Sequence, residues 1–203
     1  MLQYPNLSEQ FFTLVSFMFE TYTDKLVCLS PELFRALIGT LDFGLKSFVD
    51  ENVRLALAAI YGMASFLFNA REVAQASPEH GPEVQAQLAL LGPIVDTLLL
   101  EQLNRLVFGN HVGSTSLMEN ASETLFVSIC SQQASLNQVF SQFVSRYNDN
   151  PKIRDRLSEE LVQLVRGSGP QPLTLIPNRL NTTAFRANLE AFLIHTRGFL
   201  RVM

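Results

Sequence analysis

Three histidines, two cysteines and a few carboxylates are the side chains of this sequence whose chemistry could reach beyond packing. His80 lies in the stretch Ala76-Ser77-Pro78-Glu79-His80-Gly81-Pro82, His111 lies between Gly109 and Ser114, and His195 sits among apolar residues in a helical pattern. None has a second ligand type four residues away, so no helical metal-ligand pair forms and neither metal nor cofactor is expected. His195 reads as an interhelical histidine with its hydrogen bonds satisfied; the competing role is a general base in an all-α enzyme. There is no G-x-S-x-G elbow, no phosphate-cradling G-x-x-x-x-G-K and no G-x-G-x-x-G after a strand, and Gly167-Ser168-Gly169 reads as a loop. Catalysis is not expected.

Cys28 falls at a helix-loop border and Cys130 inside an apolar helical pattern, the usage of reduced thiols in the cytosol or nucleus rather than of a disulfide. The carboxylates Asp42, Asp50, Glu51, Asp96 and Glu101 have two readings, a groove lining that meets a basic partner or ordinary solvated helix faces. The residues singled out for protein binding are Asp42, Asp96, Glu101 and Arg105.

Something must position these groups, and the composition says what kind of element does. Hydrophobic residues make up 47% and charged residues 17% of 203 residues, with 16 Phe and no Trp, more apolar side chain than a small bundle with charged outer faces carries. The net charge of −4 arises from scattered acids and bases, so there is no electrostatic footprint for nucleic acid. The longest uncharged apolar stretch, 55–68, falls short of the roughly 18 to 20 residues that cross a bilayer, so no membrane insertion is expected. Met1 to Asn6 has no secretory-signal pattern, and a soluble protein is expected.

Apolar residues recur at helical spacing in eight segments. The first runs from Asn6 to about Tyr22. Ser30-Pro31-Glu32 then supplies a cap, a proline at the first helical position and an acid facing the dipole for a helix reaching about Phe48. Asp50 opens an interior helix, and a fourth runs from about Glu83 to Phe108 through Pro93. A fifth starts at Ser114 or Thr115, and a sixth at Ser135, which ends near Tyr147. Asn150-Pro151 starts a seventh, ended by Gly167 to Pro172. The eighth is capped by Asn181 or Thr182, and the Pro177-bearing segment before it is expected to be extended.

Taken in pairs, at about 6–48, 50–108, 115–148 and 151–203, these helices predict one all-α segment, an α-solenoid of four antiparallel HEAT-like pairs. Such a stack explains why the first and third helices are apolar on more than one side, since each pair must cover the pair before and the pair after.

Three stretches carry a resemblance. Leu2-Gln3-Tyr4-Pro5-Asn6-Leu7-Ser8-Glu9-Gln10 and Leu33-Phe34-Arg35-Ala36-Leu37 resemble the late helical repeats of importin-β-like nuclear transport receptors of the export type. Phe185, Leu189-Glu190-Ala191-Phe192-Leu193 and Gly198-Phe199-Leu200-Arg201-Val202-Met203 are similar to the extreme C-terminus of such a receptor. The resemblance implies a HEAT-repeat segment that shuttles between nucleus and cytoplasm and binds cargo in a Ran-GTP-dependent cycle. It implies cargo such as a hypusine-bearing translation factor and a Smad-type factor, with Ran-GTP held mainly by repeats outside this chain. The alternative is a cytosolic helical-repeat scaffold or adaptor that never meets Ran.

Overall fold

The computed structural model describes residues 5–76, 81–109, 115–167 and 172–200, so the expectations on His80, His111 and Ser114 lie outside the described residues. The fold is all-α, and the described residues contain nine α-helices and no strand. They are α1 Pro5–Thr21, α2 Thr23–Leu26, α3 Pro31–Leu45, α4 Asp50–Ala76, α5 Gly81–Phe108, α6 Thr115–Ser131, α7 Leu136–Val144, α8 Pro151–Arg166 and α9 Arg179–Leu200. The eight anticipated helices are all present. The ninth, α2, is a single turn in the connector after α1, where Asp24 in its first turn and Lys25 in its last suit the local dipole.

Local chemistry sets most of the boundaries. Ser30 caps α3 by accepting from the Leu33 amide at 3.4 Å, and Asn150 caps α8 by accepting from the Ile153 amide at 3.4 Å, each followed by proline at the first helical position. α8 stops at Gly167, whose φ of 76° is the left-handed conformation that favours glycine. The cap of α9 differs from the expected Asn181 or Thr182: the Asn178 side chain accepts from the Asn181 amide at 2.9 Å, so the helix begins three or four residues earlier. Asn181 instead turns its own amide onto the Ile176 carbonyl, and the segment 172–178 ahead of it is irregular, as the proline demands. Ser135 stands at the start of α7 without capping it; its hydroxyl donates to the Gln132 carbonyl inside the tight turn after α6.

The chain divides into two compact units, 1–98 and 99–203. In the first, α4 is the central helix and packs on α1, α2 and α3. α1 and α4 run in the same direction. Near both N-termini Asn52 Nδ2 donates to Ser8 Oγ at 3.2 Å, and near the other end of α1 the Gly62 backbone lies against the Phe19 carbonyl and the Glu20 backbone. A Cβ at Gly62 would stand 2.7 Å from that carbonyl, so the close approach of the two helices requires glycine. Gly44 of α3 is a second hole, filled by the ring of Phe12; a Cβ there would meet Phe12 at 2.6 Å and Ala56 at 2.8 Å. Phe12, Val15, Phe19, Leu41, Leu45, Ile60, Met63 and Leu67 are buried around these contacts.

The second unit contains the last ten residues of α5 and α6 to α9. α8 and α9 are antiparallel, because Arg156 meets Phe199, Glu160 meets His195 and the Leu164 carbonyl meets Asn188. α9 also packs on α6, again in opposite directions, since Glu119 pairs with Arg186 while Gln133, just past α6, donates to the Leu175 carbonyl ahead of α9. α7 packs on α8. The core here is aromatic: Phe126, Phe143, Phe185 and Phe192 are fully buried, with the Phe126 and Phe185 rings 5.0 Å apart.

By length and composition α4 over Asp50–Ala74 and α5 over Val84–Phe108 both reach what a membrane crossing needs, which the charge-free stretch 55–68 understates. Half of the α4 window is buried inside its unit, which accounts for its apolar content as a core helix.

Candidate protein-binding surfaces

Two features of the first unit face outward with a defined chemistry. The first is α1. Its inner side, Phe12, Val15, Ser16 and Phe19, is buried against the unit. Leu7, Phe11, Leu14 and Met18 follow at i, i+4, i+7 and i+11 on the neighbouring side, where Leu7 is 49% and Leu14 56% exposed and the other two are half-buried. Phe17, 54% exposed, extends the same surface and meets the Tyr22 ring edge-on at 5.8 Å. The apolar arc of α1 is therefore wider than the part its neighbours cover.

The second is a cleft of about 440 Å³ where the end of α1 and the turn of α2 meet the middle of α4, lined by Glu20, Asp24, Tyr61, Ser65, Phe66 and Asn69 among others. Its polar groups are largely answered by the protein itself. Glu20 accepts from the Ser16 hydroxyl at 2.5 Å, Asp24 pairs with Lys25 at 3.0 Å, and the Thr23 hydroxyl donates to the Phe19 carbonyl.

The four residues singled out for protein binding do not form one cluster. Asp42, on α3, pairs with Lys46 one turn on, at 2.8 Å, and so holds a cation at the C-terminal end of its own helix. Asp96, Glu101 and Arg105 are half-buried on α5, Asp96 in the first unit and the other two in the second. Asp96 acts on Arg71: burial lowers the Arg71 pKa from its ordinary value, and the Asp96 carboxylate opposes that shift. Of the two further acids, Asp50 and Glu51 in the first turn of α4, Glu51 is held by the Arg54 guanidinium, whose hydrogen bonds lower its pKa despite partial burial. Sequence reasoning identified the acids but missed Arg54 and Arg71. The spacing of Glu51 and Arg54, three apart on one helix, was a usable clue, whereas Arg71 and Asp96 come from different helices.

His195 Nδ1 lies 3.1 Å from Glu160 Oε2, with the imidazole ring mostly open to solvent and Glu160 largely covered. The expectation of an interhelical histidine is met in that it bridges α8 and α9. Cys130 is buried, which pushes its thiol up to about 12, and Cys28 is exposed; both are free thiols. No group of three metal-ligating side chains occurs among the described residues. No protein-family model matches the chain, and no solved structure matches it.

Proposed function

We propose that this chain is a protein-binding helical-repeat segment of an export-type nuclear transport receptor resembling exportin-4, which contributes to holding cargo during a Ran-GTP-dependent passage between nucleus and cytoplasm. The observation that supports this reading is the same-direction packing of α1 on α4 through Ser8, Asn52, Gly62 and the Phe19 backbone, the relation between first helices of successive pairs in a repeat stack. Of the stretches that resemble receptor repeats, residues 5–10 lie in α1, 33–37 in α3 and 185–200 in α9. Function on this reading is binding without bond-making, with exposed apolar helix faces supplying the contact area.

The experiment is affinity capture on the full-length polypeptide with Ran loaded with GTP or with GDP, using the hypusine-bearing translation factor as probe. Retention that requires the GTP form is the expected result. Retention indifferent to Ran would sink the export reading in favour of a cytosolic scaffold.

A further inference from the structure

The cleft where α1 and α2 meet α4 combines two negative charges with aromatic rings. At about 440 Å³ it falls within the range of pockets that hold small groups, and no described Lys or Arg lines it. Tyr61, Ser65 and Asn69 follow at i, i+4 and i+8 on one face of α4, with Phe66 beside them. Glu20 at the end of α1 and Asp24 in α2 bring the carboxylates.

Internal partners do not exhaust these groups. The Ser16 hydroxyl donates to Glu20 Oε1, which leaves Oε2 without a partner among the described residues. Arg54 of α4 feels the Glu20 charge, but its guanidinium is taken up by two hydrogen bonds to Glu51. Asp24 pairs with its chain neighbour Lys25, whose side chain is 78% exposed, and a surface pair of that kind is weak enough for a better-placed cation to displace. The Tyr61 and Ser65 hydroxyls and the Asn69 carboxamide make no hydrogen bond among the described residues, and Tyr61 is 41% exposed.

A guanidinium group answers this combination. Its flat face stacks on an aromatic ring while its N–H donors reach carboxylate, hydroxyl and amide oxygens at the edge, whereas a lysine ammonium has no flat face to stack. We infer that the cleft binds an arginine side chain presented by a partner protein, with Glu20 and Asp24 accepting its hydrogen bonds and Tyr61 supplying the ring. The inference uses only the first unit, so it stands apart from the transport reading.

Titration of the 203-residue chain with the end-capped tripeptide Gly-Arg-Gly, followed by amide chemical shifts, tests it. Saturable shifts confined to residues around Thr23, Gly62 and Ser65 are expected, with a dissociation constant of about 1 mM that rises with salt. The capped tripeptide Gly-Lys-Gly is expected to bind about threefold more weakly. Glu20→Gln, which keeps an acceptor for Ser16, and Tyr61→Leu, at an exposed position, are each expected to weaken binding about fivefold with the helical circular dichroism unchanged. Glu32→Gln, on the exposed first turn of α3, removes the same charge elsewhere and is expected to change nothing.

Absence of saturable shifts up to about 20 mM tripeptide overturns the inference. So does binding insensitive to Glu20→Gln, or weakened as much by Glu32→Gln, since either would make the attraction one of net charge. Equal binding of the lysine peptide would make the cleft a general cation site and overturn the arginine assignment. Free arginine brings its own carboxylate against the two acids; if it binds more tightly than the capped tripeptide, the ligand is a small molecule and the protein partner is overturned. Failure to bind Ran touches none of these outcomes, so the two readings fail separately.

Discussion

The two units bury similar amounts of apolar side chain by different means. In the first, helices approach through missing side chains: Gly62 lets α1 and α4 meet along their backbones, and Gly44 makes the hole that Phe12 fills. Its deepest polar group is satisfied, since Asn52 donates to both Ser8 and Ser47. In the second, the space between helices is filled by Phe126, Phe143, Phe185 and Phe192, and polar atoms of Gln102, Asn104, Ser128 and Thr196 are buried without a hydrogen-bond partner. Helix order differs as well. α1 packs on α4 in the same direction, whereas the last helix of the second unit packs antiparallel on both α8 and α6. Glycine holes constrain the spacing of two helices tightly, while an aromatic core can hold helices in several arrangements and leaves room for stranded polar groups.

Breaking the aromatic core should have the largest effect. Phe185→Ala removes a fully buried ring whose centroid lies 5.0 Å from that of Phe126 and is expected to cost about 3–5 kcal/mol, read as a lower denaturant midpoint. If the second unit repacks around the gap, the loss will fall well below that range, and the core is more plastic than its burial suggests.

The corresponding blow to the first unit is Gly62→Ala. The added methyl has only backbone to displace, so overpacking is expected to cost about 1–3 kcal/mol, seen as a lower melting temperature. A variant as stable as the parent would mean that α1 and α4 can slide apart, and the contrast between the units would dissolve.

Alkaline pH distinguishes the units through Cys130. Its thiol ordinarily titrates at 9.0 and is pushed to about 12 by burial, so the folded chain keeps a proton that the unfolded chain gives up. Stability is thus maintained below pH 9 and lost as pH rises from 9 toward 12. Roughly 1–2 kcal/mol should disappear between pH 9 and about 10.5, and Cys130→Val should remove that share of the slope. Urea unfolding at both pH values in the parent and variant measures it.

Asn178→Ala should have the smallest effect of the four. Loss of one cap from α9 is expected to cost about 1 kcal/mol, visible as faster hydrogen exchange at the Asn181 amide before any change in overall melting.

Much of this fold can be read directly from residue order. Ser30-Pro31 and Asn150-Pro151 announce α3 and α8 because a capping side chain and a proline with fixed φ act within three residues, and both starts fall where the spacing predicts. The start of α9 lies ahead of the expected Asn181 or Thr182 because Asn178 carries an equally good capping side chain, and it is this one that accepts from the Asn181 amide. The candidate surface was less legible. Asp96 is recognisable as an acid, yet the Arg71 it acts on belongs to another helix and becomes its neighbour only on folding. Likewise the exposure of Leu7 and Leu14 cannot be told from the burial of Phe12 and Val15 by periodicity alone, since all are apolar and on the same helix.

By itself the sequence determined the all-helical class, the number of long helices and most of their starts, because caps, prolines, glycines and the 3.6-residue period act over a single turn. Tertiary structure alone decided that α1 lies along α4 in the same direction, that α9 spans both α6 and α8, and that one side of α1 stays open. Those outcomes depend on contacts between residues dozens of positions apart, where a glycine in one helix matters only for the backbone that comes to rest on it.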